Sequence, residues 1–178
     1  MQERNLKNFA GGIPATGGFT LIELIVTVVV AGIAILALIT VFQESLKNME
    51  RQRGLLSANL LAEDLMNEIR SKEYTDPRFP TNFGPETWAG ETNRLNYDDV
   101  DDYAGWFRSP PETIEGNVMS NFSGFTWRVV VSNVPPTNFN LSASPACAPN
   151  STDFKRITVI VSNAAVAISN MSVKGRYD

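Results

Sequence analysis

"GGFTLIELIVTVVVAGIAILALITVF" (residues 17–42) is the stretch on which the fold turns. Between residues 19 and 42 it contains one charge, Glu23, and no proline. Coiled as a helix at about 1.5 Å per residue, that run measures roughly 36 Å. The hydrocarbon core of a bilayer is ~30 Å thick, so the run is long enough to span it. From Leu24 to Phe42 there is no charge at all, which is longer than the apolar stretch of an ordinary core helix. A carboxylate placed in lipid costs about 2.5–3.5 kcal/mol, so Glu23 requires a compensating partner.

The residues upstream suggest where that partner comes from. Arg4 and Lys7 come first, then the small residues Ala15, Thr16, Gly17 and Gly18, and only then the apolar run. A secretory signal peptide has its small-residue cleavage site after the apolar region. Here the small residues precede it. A cut after Gly18 therefore removes a polar leader, residues 1–18, and leaves the hydrophobic segment on the mature chain. Arg4 and Lys7 hold the uncut N-terminus in the cytoplasm and direct the remainder outside.

In this order and composition the stretch resembles the prepilin N-terminus of type IV pilins and type II secretion pseudopilins. The resemblance implies a membrane prepilin peptidase/methyltransferase as a partner, with Gly18 as the residue before the cut. Phe19 becomes the new, N-methylated terminus, and Thr20, Leu21 and Ile22 complete the signature. Glu23 is then the glutamate through which subunits assemble. The further partners implied are other pilin or pseudopilin subunits and the bacterial inner membrane. The implied location is that membrane, with a single pass and the C-terminal head outside, and then a pilus or periplasmic pseudopilus.

Cleavage would create a cation for Glu23, because a free α-amine has a pKa of about 7.7–8.0 and methylation preserves its charge. Phe19 and Glu23 are one helical turn apart, so they can pair within a chain. Pairing with the amine of a neighbouring chain neutralises the same charges and also fixes the register of two subunits. The resemblance favours the second arrangement. A third leaves Glu23 near the interface, eased by the helix N-terminus. The sequence departs from major type IV pilins at Thr40, where they often carry proline. Gly32 is the one weak helix residue of the run, costing about 1 kcal/mol relative to alanine.

The helical pattern continues past the membrane run. In residues 43–74, Leu46, Met49, Leu56 and Leu60 form one apolar row, and Leu61, Leu65 and Ile69 form a second. Charged residues take the other faces. One helix from residue 19 to about residue 72 explains both halves; a hinge at Gly54 would divide it in two. Asp76-Pro77 ends the pattern. Residues 75–121 are punctuated by proline and glycine and read as a long, mostly irregular excursion with a short strand near residues 114–118.

"FTWRVVV" (residues 125–131) and "KRITVIV" (residues 155–161) are the clearest strands. Phe125, Trp127, Val129 and Val131 alternate onto one face, and Ile157, Val159 and Val161 do the same. A third strand near residues 166–173 follows a hairpin at "SNAAVA", and the proline-rich segment between the first two strands reads as a loop. The expected fold class is α+β, a pilin-like ladle with a long N-terminal helix packed on a small antiparallel sheet. Its parts are a leader (residues 1–18), a transmembrane half-helix (19–42), an amphipathic half (43–74) and a globular head (75–178).

Composition narrows the chemistry. The chain has 178 residues, no histidine and a net charge of -4. A histidine-based triad is therefore impossible, and an acidic chain is a poor nucleic-acid binder. Cys147 has no basic neighbour to lower its pKa and no second cysteine to pair with. Trp88, Trp106 and Trp127 read as core more readily than as a ligand platform. "NYDDVDDYAGW" brings Asp98, Asp99, Asp101 and Asp102 close together. Hard oxygen ligands of this kind suit calcium, but the spacing departs from the EF-hand loop and adjacent aspartates point different ways. A solvated acidic loop is the plainer reading. The same run also resembles minor pilins of the MSHA-pilus MshD type.

No constellation for catalysis is apparent, and no cofactor beyond calcium is suggested. The expected function is that of a structural minor pilin, processed by prepilin peptidase and built into a type IV pilus or related filament. A minor pseudopilin of a type II secretion system is the alternative.

Overall fold

A computed structural model describes residues 17–140 and 152–177. The leader up to Thr16, Cys147 and Asp178 lie outside the described residues. The chain divides into two compact units, Met1–Leu46 and Lys47–Asp178.

Helix α1, Leu21–Arg70, is unbroken. Neither Gly32 nor Gly54 interrupts it, and Thr40 donates its hydroxyl to the Ala37 carbonyl at 2.8 Å. There is no hinge at Gly54. In the first unit every described residue is exposed, and the apolar N-terminal portion of α1 is long and apolar enough to cross a membrane.

In the second unit, α1 contributes Ala58, Leu61, Ala62, Leu65, Met66 and Ile69 to the core. The spacing is that of a single helical stripe. Leu61, Leu65 and Ile69 are the second row expected from the sequence. The first row behaves differently, since Leu56 and Leu60 are 63% and 61% exposed. One residue of offset turns a side chain by about 100° on a helix, which is enough to place Leu60 outside and Leu61 inside.

The sheet has four antiparallel strands in the order β1-β2-β3-β4: Phe107–Arg108, Thr126–Asn133, Phe154–Ser162 and Ala167–Gly175. Trp127, Val129 and Val131 face Val161, Val159 and Ile157 across the β2–β3 pair, and all six are buried against the α1 stripe. Burial of each such aliphatic side chain is worth about 1.5–3 kcal/mol. The β3–β4 hairpin closes as expected: the Asn163 carboxamide oxygen accepts the amides of Ala165 and Val166, both at 2.8 Å. β1 was not expected, because two residues carry no periodicity. The strand expected near residues 114–118 reduces to one bridge between Glu112 and Val118.

Apart from the two residues of β1, residues 75–121 are organised by short 3-10 turns and by side chains. Val100, Tyr103 and Trp106 point from this excursion into the core. A parallel bridge between Glu73 and Asp99 ties it to the end of α1.

Candidate functional site

Two places in the chain concentrate chemistry, the start of α1 and the acidic excursion of the head. At the first, residues 17–20 are non-helical and exposed. Thr20 caps the helix: its hydroxyl accepts the Glu23 amide at 3.3 Å, and its carbonyl accepts the Leu24 amide at 3.1 Å. Thr20-Leu21-Ile22-Glu23 is thus a capping-box sequence, with Glu23 in the first turn where the helix dipole favours an anion. The Glu23 side chain is exposed and makes no ion pair among the described residues. A Cβ added at Gly17 or Gly18 would meet nothing within 4 Å. Neither φ lies in the left-handed region, so the chain's own fold places no demand for glycine there.

A family described as the prokaryotic N-terminal methylation motif matches residues 14–39. The chain carries the N-terminal signature of type IV pilins and pseudopilins. No curated protein and no solved structure matches it. The match spans the small residues, the expected cut, Glu23 and most of the apolar run. A long N-terminal helix followed by an antiparallel sheet is the pilin arrangement. The proteins that share this signature are structural rather than enzymatic.

In the head the acidic run is not a solvated loop. Asp99, Asp101 and Asp102 are buried, while Asp98 is half exposed. The sequence shows four acids within five positions but not that Val100 between them and Tyr103 after them are core residues that draw the run inward. Three of the carboxylates have internal tasks. Asp101 pairs with Lys155, whose ammonium also donates to the Tyr74 carbonyl and lies 4.3 Å from the centre of the Tyr74 ring. Asp99 accepts the amides of Asp76, Asp101 and Asp102. Asp102 accepts those of Asp98 and Asp99 at 2.9 and 3.2 Å.

The structure adds three acids and a base to this group that the sequence reading missed: Asp76, Glu86, Glu91 and Arg78. Nη2 of Arg78 lies 3.0 Å from Asp76, 3.0 Å from Glu91 and 2.6 Å from Asp98. Glu91 also accepts the Glu86 amide at 2.9 Å, and Asn82 donates to Glu86 at 2.7 Å. The one sequence signal that points to them is the number of acids in residues 73–102, a stretch poor in lysine and arginine.

Burial dominates the titration of this network. It pushes Glu86 up to about 7, helped by the facing Glu91. It pushes Asp99 to about 8, helped by Asp101 and Asp102. Asp102 rises to about 7 through burial, against the two backbone amides it accepts. Asp98 is also raised, first by burial and then by Asp76 and Glu91. For Asp76 burial acts upward but the hydrogen bonds from Arg78 outweigh it, and its pKa falls below the ordinary range. Asp76, Glu86, Glu91, Asp99, Asp101 and Asp102 are all buried.

The tryptophans divide. Trp106 and Trp127 are core, and Trp88 is exposed. The buried Arg94 guanidinium sits 5.1 and 5.3 Å from the Trp106 and Trp127 rings and 3.2 Å from Glu68 of α1. Glu68 also accepts the Tyr103 hydroxyl at 2.7 Å, and burial holds that phenol far above its ordinary range.

Proposed function

We propose that this chain is a structural minor pilin of a type IV pilus or related filament. Prepilin peptidase cuts it between Gly18 and Phe19, methylates the Phe19 amine, and leaves α1 as both membrane anchor and assembly element. The observation that carries this reading is the methylation motif at residues 14–39, set at the head of an exposed apolar helix. The open space around Gly17 and Gly18 supports it as well, because the demand for glycine then comes from the processing enzyme and not from the fold. In the assembled state Glu23 pairs with the Phe19 amine of a neighbouring subunit, which offsets the cost of a carboxylate in lipid.

Mass spectrometry of the N-terminus of the protein recovered from sheared surface filaments tests this. Methylated Phe19 is the expected terminus. An intact Met1 confined to membranes would overturn the reading. The same motif begins pseudopilins of type II secretion systems, and there the processed chain would be found in the periplasm and absent from sheared surface material.

A further inference from the structure

We propose that the head binds a divalent cation of the calcium type at the cluster formed by Asp76, Glu86, Glu91, Asp98 and Asp102. The geometry is that of two interlocking carboxylate triads. Asp76, Glu86 and Glu91 each bring one carboxylate oxygen within 4.8 Å of the others, and so do Glu91, Asp98 and Asp102. Glu91 belongs to both, so the two triads share a ligand.

Orphaned oxygens give an independent indication of a ligand. Glu86 and Asp102 are only 2% and 1% exposed, yet Oε2 of Glu86 and Oδ1 of Asp102 have no hydrogen-bond donor. Oδ1 of Asp98 has none either. A buried carboxylate oxygen without a donor or a cation carries a desolvation penalty of about 1–3 kcal/mol, and more when charged. One such oxygen or more in each triad is the condition a metal ion relieves. Charge points the same way. Among the described residues the one cation in direct ion-pair contact with the five carboxylates is Arg78, and it reaches three of them through a single nitrogen. Its side chain is 54% exposed, so it can remain as an outer partner or swing aside.

The donor set is all hard oxygen, with no histidine or cysteine, which selects calcium or magnesium over the transition metals. Irregular placement over a loop suits calcium, which accepts six to eight oxygens at flexible angles, better than magnesium, which demands a near-ideal octahedron. Every ligand comes from residues 76–102, so the ion would fasten the irregular excursion together. Its binding energy would appear as stability of the head. The site differs from the four-aspartate run of the sequence: Asp99 and Asp101 are committed to backbone amides and to Lys155, and the ligands that replace them are Asp76, Glu86 and Glu91.

The full chain in detergent micelles, stripped with EDTA and dialysed, provides the test. Thermal unfolding is followed while calcium is added, with magnesium at equal ionic strength as comparison. Terbium luminescence excited through tryptophan, with Trp88 between Glu86 and Glu91 in sequence, reports occupancy directly. A saturating rise in Tm with one calcium per chain is expected, larger than that for magnesium, together with terbium emission that calcium displaces. Glu91→Gln removes the shared ligand and should abolish both responses. Glu86→Gln keeps shape and hydrogen bonding while deleting one charge, so it should fold at least as well without metal and weaken calcium binding tenfold or more. Asp153→Asn, an exposed acid outside the cluster, should leave both responses unchanged. The proposal is overturned if calcium moves neither readout. It is equally overturned if Glu86→Gln, folded by circular dichroism, responds to calcium as the parent does.

Discussion

Lys155 stands on the core face of β3, two residues before Ile157, and is 1% exposed. Its ammonium is compensated by Asp101, the Tyr74 carbonyl and the Tyr74 ring. Removing one member of such a buried pair leaves the other charge stranded, at a typical cost of 3–5 kcal/mol. Lys155→Met is therefore expected to destabilise the head by about that amount in chemical denaturation. The double change with Asp101→Leu should recover much of the loss, and failure of the second substitution to do so would refute the pairing. The alternation that placed Ile157, Val159 and Val161 inside also places Lys155 inside. That part was legible in the sequence. The partner was not, since Asp101 is one of several neighbouring acids and only the fold selects it.

At the same scale, the raised carboxylates fix how the cation-free head responds to pH. Glu86, Asp99 and Asp102 have folded pKa values of about 7, 8 and 7 against ordinary values of 4.5, 3.8 and 3.8. Glu91, Asp76, Asp98 and Asp101 face them as like charges, and Arg78 and Lys155 oppose. Between the two sets of values the folded state holds more protons than the unfolded one, so stability falls as pH rises. In EDTA, the denaturation midpoint of the full chain in detergent should decline from about pH 5 to about pH 8. A midpoint flat or rising across that interval would contradict this account.

Among the elements, α1 is the one whose extent the sequence set almost completely. Its apolar run, its amphipathic continuation and the stop at Asp76-Pro77 place both ends within two residues of those observed, Leu21 and Arg70. Gly54 lies in the middle of the second unit's stretch of helix, and a Cβ there would meet Val166 at 3.6 Å, an ordinary contact. Gly54→Ala is accordingly expected to stabilise the head by roughly 0.5–1 kcal/mol, through the helix propensity of alanine. A loss of stability would mean that the approach to Val166 is tighter than that distance implies. β2 and β3 were legible from two-residue alternation, because one face of that pair is buried, and β4 from the hairpin that precedes it. β1 and the folding of residues 75–121 were not, since Asx-type hydrogen bonds and core side chains at irregular intervals have no period to detect.

For the molecule as a whole, the proposed function depends on joining to copies or relatives of itself. Glu23 is exposed, sits in a capped first helical turn, and has no ion pair within the described chain. Glu23→Gln should preserve membrane insertion and cleavage after Gly18, because an amide costs less in lipid than a carboxylate. It should lower incorporation into filaments at least tenfold, measured by immunoblot of sheared material at matched expression. Normal incorporation would remove Glu23 from the assembly interface. Leu56 and Leu60 are exposed on the head's portion of α1.

The sequence by itself determined an apolar helix long enough to cross a membrane, the acid in its first turn, and the alternating strands β2 and β3. Each of these is a local pattern, fixed by the thickness of a bilayer, by helical repeat or by strand alternation. Only the tertiary structure decided which row of α1 faces the sheet, because adjacent leucines differ by a rotation that composition does not reveal. Only it decided the fate of the acids: Val100 and Tyr103 pull their neighbours into the core, where Asp101 meets Lys155. There Asp76, Glu86 and Glu91, separated in the chain, join Asp98 and Asp102. Burial and the meeting of distant segments make those charges costly, and neither is written in any short stretch of sequence.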